Sequence, residues 1–169
     1  MKTNILIVAA VSFLVVSISE FAAGQNKATP QEVIEKVHEA ASTLSQQGKV
    51  GLAQFDEKTG PWVWKDTYIF VLDCPRTVAA HPFMPDLIGK DDRSLKGAHG
   101  TELFPELCAA TKNPSGVWVE YWWPKPGEKQ ASRKISYALK ADNTPYVVGA
   151  GIYDDKASIA ELKKMTSGH

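Results

Sequence analysis

The stretch spanning residues 117–153 constrains the fold more than any other part of the chain. Three β-prone runs follow one another there, at 117–123, 134–140 and 146–153. Pro124-Lys125-Pro126-Gly127 turns the chain after the first, and Asn143-Thr144-Pro145 after the second. Valine, tyrosine and tryptophan suit a pleated, half-buried surface, and proline, glycine and asparagine suit the turns between. Short connections join antiparallel neighbours, because a parallel pair needs a crossover of a dozen or more residues. A sheet must therefore form the centre of the molecule.

Upstream the period changes. Thr29-Pro30-Gln31-Glu32 reads as a capping box with proline at the first helical position. Val33, Ile34, Val37, Ala40, Ala41 and Leu44 then share one face at helical spacing, and Gly48 can end the helix. A short helical piece at 50–55 is broken by Thr59-Gly60-Pro61. Residues 68–72 and 77–80 read as a hairpin around Asp73-Cys74-Pro75-Arg76, although its turn lacks glycine. His81-Pro82 closes the second strand, since proline cannot donate to a ladder. Residues 86–115 read as loop with one helix at 102–110, and a last amphipathic helix covers 157–165. The expected fold is α+β: a five-stranded, mostly antiparallel sheet with the long N-terminal helix on one face and the insertion over the other. An insertion of that length inside a compact domain is usually functional or a lid.

The first residues are a separate object. Lys2 precedes an almost unbroken apolar stretch at 5–18, and Ala22-Ala23-Gly24 supplies the small residues of a cleavage site. That is the layout of a secretory signal peptide at 1–24, leaving one domain at 25–169, periplasmic or secreted, with no membrane span after cleavage. The apolar core is short for a bilayer span, which needs about 20 residues. In the whole chain 19 Lys and Arg balance 19 Asp and Glu. With no basic cluster, a nucleic-acid partner is excluded. Two cysteines are too few for a zinc ribbon; Cys74 and Cys108 can pair in an oxidising compartment or stay buried and free.

Enzymatic motifs are missing: no nucleophile elbow, phosphate loop, zincin helix or dinucleotide fingerprint is present, and the four histidines lack metal-ligand spacing. No cofactor is expected. Candidate binding residues come from the aromatic strand. Alternation puts Val117, Val119, Tyr121 and Trp123 on one face and Trp118, Glu120 and Trp122 on the other. Each aromatic alone has an ordinary reading as core, but aromatics on both faces exceed what one core needs. His81 alone reads as a structural hydrogen-bonder, and Lys134, at the start of its run with Ser136 on the same face, as a solvated strand end. Together, His81, Lys134, Tyr121 and Trp123 describe a small aromatic pocket with one or two cations, with Tyr68 and Trp64 as further walls. Such a pocket suits a small carboxylate, whose anionic end meets the cations and donors.

An ordered set of segments extends this reading. Asp66-Thr67-Tyr68-Ile69-Phe70-Val71, Ala80-His81-Pro82, Leu87-Ile88-Gly89-Lys90, the run from Gly116 to Gly127, Lys134-Ile135-Ser136-Tyr137 and the run from Tyr146 to Tyr153 resemble, in order and spacing, the single Cache domains of the type 2 subfamily. The resemblance covers about residues 30–155. It implies an extracytoplasmic, PAS-like sensor whose pocket lies between sheet and insertion, binding small organic acids and reporting to chemoreceptors or histidine kinases. Two positions depart from the family: Arg76 stands where glycine is common, and Gly97-Ala98-His99-Gly100 where Asp-x-x-Gly is common. With no output segment after the domain, the resemblance implies a module acting through a membrane receptor or kinase partner, or a soluble binding protein. The competing reading is a protein-interaction module that keeps the fold without a ligand.

Overall fold

A computed structural model describes residues 26–74, 77–91 and 103–167. The signal-peptide reading, Arg76 and the segment Gly97-Ala98-His99-Gly100 lie outside the described residues.

The long helix α1 covers Pro30–Gln47. Its capping box is complete: the Glu32 amide donates to the Thr29 hydroxyl at 3.2 Å, and the Thr29 amide donates to the Glu32 carboxylate at 2.9 Å. Glu32 also takes a salt bridge from Lys65, which lowers its pKa and ties the helix start to a hairpin. Gly48 caps the other end at φ 56, in the left-handed region that favours glycine. A 3₁₀ segment, Gly48–Phe55, follows.

Among the described residues seven strands then form: β1 (Val63–Trp64), β2 (Thr67–Tyr68), β3 (Phe70–Asp73), β4 (Thr77–Ala80), β5 (Val117–Pro124), β6 (Ala131–Lys140) and β7 (Tyr146–Ile152). The helices α2 (Leu103–Cys108) and α3 (Ile159–Thr166) complete the set. The main sheet has the order β4-β3-β7-β6-β5, and every pairing is antiparallel.

Alternation separates two cores. From β6, Ile135, Tyr137 and Leu139 join Val33, Val37, Ala40 and Leu44 of α1 on one side. From the other side Phe70, Leu72, Tyr121 and Ala138 meet Leu103, Phe104 and Leu107 of α2. All of β7 is buried, because both faces of that central strand are covered.

Several boundaries differ from the sequence reading. The run expected at 68–72 is two strands: β2 pairs with β1 in a separate hairpin, and only β3 enters the main sheet. That hairpin turns at Lys65, which adopts φ 49 without being glycine, so no composition signal marks it. β6 begins at Ala131, three residues earlier than expected, because β5 and β6 pair continuously from Val117↔Ala138 to Pro124↔Ala131. The helix at 102–110 is described from Leu103 and tightens to a 3₁₀ turn after Cys108.

Candidate functional site

The α2 side of the sheet encloses a cavity of about 30 Å³. A water needs roughly 10–15 Å³ measured this way, so the space holds only a few heavy atoms. Tyr68, His81, Tyr121, Trp123 and Lys134 line it together with Phe70, Leu72 and the α2 residues Leu103, Phe104 and Leu107.

Lys134 stands at its polar end. Tyr121 of β5 pairs with Lys134 of β6, so both side chains leave the sheet on the same face. Lys134 is 0% exposed, and its Nζ has no hydrogen-bond partner among the described residues. The amine lies 4.2 Å from the ring centre of Tyr68, 5.2 Å from that of Tyr153 and 5.4 Å from that of Phe70. Burial pushes its pKa down to about 7, against an opposing pull from Asp66.

The space for this side chain comes from glycine. On β7, Val147, Gly149 and Gly151 face the cavity while Val148, Ala150 and Ile152 face α1. A Cβ on Gly151 would strike the Ser136 hydroxyl and lie 2.7 Å from the Ile135 carbonyl oxygen and 3.0 Å from Lys134 Cε. A Cβ on Gly149 would strike the Phe70 ring.

His81 follows β4. Its Nδ1 accepts the amides of Met84 at 3.0 Å and Phe83 at 3.3 Å, which assigns the ring proton to Nε2. Its own amide donates to Asp56 Oδ1 at 3.0 Å. The ring packs 4.9 Å from Tyr68 and 6.2 Å from Trp123. Burial, aided by Lys134, pushes its pKa down to about 3. His81 is thus a neutral imidazole with its proton on Nε2, so of the one or two cations expected at the site, Lys134 is the one that can carry charge. Tyr121 Oη and Ser136 Oγ share a hydrogen bond of 2.7 Å, and burial raises the Tyr121 pKa.

Trp64 is not brought to the cavity. On the short β1, alternation turns Val63 toward the α2-side core and Trp64 toward the α1-side core. Phe70, Tyr153 and the two β7 glycines were missed. Of these, Gly149-Ala150-Gly151 inside a strand was the readable signal, because glycine there marks a close approach. Cys74 and Cys108 form a disulfide, with Cα atoms 5.7 Å apart. The bond ties the end of α2 to the turn after β3, holding one cavity wall against the sheet.

The sheet and α2 thus hold a small cavity with a buried lysine at its polar end. The family model for single Cache domain 2 matches residues 4–166, and the chain belongs to that family. It is 29% identical over 90 residues to the methyl-accepting chemotaxis protein McpP of Pseudomonas putida, covering 53% of this chain and 16% of the receptor. It is 33% identical over 91 residues to the sensor histidine kinase MctS of Rhizobium johnstonii, covering 54% of this chain and 20% of the kinase. The chain thus spans a small part of the curated relatives it matches. A solved periplasmic sensor domain of a chemotaxis protein superposes with TM-score 0.61 at 25% identity, over 80% of this chain and 98% of that one. A Cache chemosensory domain described for carboxylic acid recognition superposes with TM-score 0.62 at 22% identity, over 83% and 100%. Among the described residues, no helix is long and apolar enough to cross a membrane.

Proposed function

We propose that the domain is an extracytoplasmic sensor module that binds a small organic acid in the α2-side cavity and reports occupancy to a membrane receptor or histidine kinase partner. The buried Lys134 amine, lacking any hydrogen-bond partner among the described residues, carries this reading. A buried donor left unsatisfied costs free energy that a ligand acceptor would recover. Lys134 takes the carboxylate, the His81 Nε2–H adds a neutral donor, and Tyr68, Tyr121 and Trp123 form the aromatic walls. The small volume favours acids of a few carbons. The carboxylic acid recognition described for a structural neighbour supports the same chemistry.

Calorimetry with short carboxylic acids tests the reading. Lys134→Ala should weaken binding about ten- to a hundredfold, the equivalent of a charge-assisted hydrogen bond worth roughly 1.5–3 kcal/mol. Equal affinity in the variant would show that the lysine holds no ligand. If no small carboxylate binds the wild type, the domain is an interaction module.

The exported location rests on residues 1–24, whose proposed fate is cleavage after Gly24. N-terminal sequencing of the exported protein should start at Gln25 or within a few residues. A membrane-bound protein that still carries Met1 would refute cleavage.

A further inference from the structure

We propose that above neutral pH the cavity takes up a proton together with its carboxylate, Lys134 being a neutral amine when the cavity is empty and an ammonium when it is filled. This inference rests on the cavity being a carboxylate site and adds how that site responds to pH.

The geometry argues for a neutral amine in the empty cavity. Lys134 Nζ has neither a hydrogen-bond partner nor a salt bridge among the described residues. Taking an unpaired ammonium out of water is costly, and the ring faces of Tyr68, Tyr153 and Phe70 offset part of that cost without supplying an acceptor. Solvation loss is the largest influence on the amine, ahead of the opposing pull of Asp66, and lowers its pKa to about 7.

The groups around the amine do not change that balance. His81, after β4, has its Nδ1 occupied by two backbone amides, and its depressed pKa keeps it neutral. Tyr68 from β2, Tyr121 from β5 and Tyr153 after β7 have phenol pKa values raised by burial, so each keeps its proton. Ser136 is engaged with Tyr121. Phe70 from β3 and the α2 residues Leu103, Phe104 and Leu107 carry no charge. Asp66, in the β1–β2 turn, reaches Lys134 through its field, and its Oδ1 accepts the Ala28 amide at 2.8 Å.

A bound carboxylate changes it. An anion at hydrogen-bond distance favours the ammonium and raises the lysine pKa. None of the neighbours is placed to give up a proton, so the proton comes from solvent. Neutral amine, carboxylate and one proton then become an ammonium–carboxylate pair, with charge balanced. Binding follows the product of carboxylate and proton concentrations once pH exceeds the lysine pKa in the empty cavity. Below that pH the amine is already charged, and affinity levels off.

Calorimetry on the exported protein tests this, with acetate, propionate and pyruvate as probes at pH 6 to 9. Each titration is run in two buffers of different ionisation enthalpy, which counts protons taken up. The expected result is uptake near zero at pH 6, rising with a midpoint near 7 toward one proton per ligand. Affinity should fall about tenfold per pH unit above 8. Binding with constant affinity and no buffer dependence would overturn the proton coupling while leaving the carboxylate site intact. Uptake with a midpoint below 5.5 would assign the proton to another group and overturn the role given to Lys134. If no probe binds at any pH, the carboxylate reading fails and the coupling with it.

Discussion

Gly151 leaves room for both the Ser136 hydroxyl and the Lys134 stem. In the antiparallel register Ser136 faces Gly151, and the lysine stem runs over the bare backbone of that glycine. Gly151→Ala sets a methyl group against the Ser136 hydroxyl, the Ile135 carbonyl oxygen and Lys134 Cε. The side chains can swing away, at the cost of the Ser136–Tyr121 hydrogen bond, but the carbonyl is held by the sheet. Overpacking of this kind costs about 1–3 kcal/mol. The denaturation midpoint should fall accordingly, with affinity for any short acid falling as well. A variant that melts and binds like wild type would show that β7 yields without cost. At this scale the sequence was partly legible. Tyr121, Trp123 and Lys134 emerge on one face because strand alternation is strict. Full burial of Lys134 could not be read, since it depends on α2, on Tyr68 and on the missing Cβ of Gly151, which are distant in sequence. Trp64 was misplaced for a related reason: its direction depends on a two-residue strand whose turn, at Lys65, has no glycine to announce it.

Elements with long periodic patterns were the easiest to foresee. α1 begins and ends where its capping box and Gly48 put it, and β5, β6 and β7 follow their β-prone runs. The short elements were harder, because pairing in β1 and β2 is decided by neighbours and not by period. The disulfide was equally undetermined by sequence, since it needs Cys74 and Cys108 side by side across a separation of 34 residues. Its consequence is an element-scale one. α2 has six residues, too few to be stable alone, and it contributes Leu103, Phe104 and Leu107 to the cavity wall. Chain-entropy arguments give a loop of this size about 3–4 kcal/mol of stabilisation. Reducing the bond, or making Cys74→Ser with Cys108→Ser, should lower stability by up to that amount. It should also speed ligand release, because a wall of the cavity loses its tether. Stopped-flow dissociation with and without reductant measures the second effect. Unchanged release rates would show that apolar packing alone holds α2 in place.

Across the whole molecule, the buried titrating groups give stability an unusual pH profile. His81 and Lys134 both bind fewer protons folded than unfolded, because burial lowers both pKa values. Stability rises with pH wherever the unfolded chain holds more protons. For His81 that window runs from about 3 to its ordinary value of 6.5, and for Lys134 from about 7 to 10.5. Glu32 and Glu120, lowered by Lys65 and Arg133, act in the same direction at acid pH, although both are partly exposed, and solvent screening keeps their contribution small. Tyr68 and Tyr121 act oppositely. Burial raises their pKa values, so the stability they carry is present below 10 and lost as pH rises further. The slope through each of the first two windows reaches at most about 1.4 kcal/mol per pH unit. Denaturant melts of the ligand-free protein should therefore show stability still increasing from pH 7 to 9, beyond the usual optimum between pH 5 and 8. Lys134→Met should flatten that segment and change the acid side only slightly, since burial, the main cause of the His81 shift, remains. A wild-type maximum near pH 6 would mean that Lys134 is charged inside the empty protein. The two consequences of one buried amine then oppose each other: above pH 7 the empty domain grows more stable as its carboxylate affinity falls.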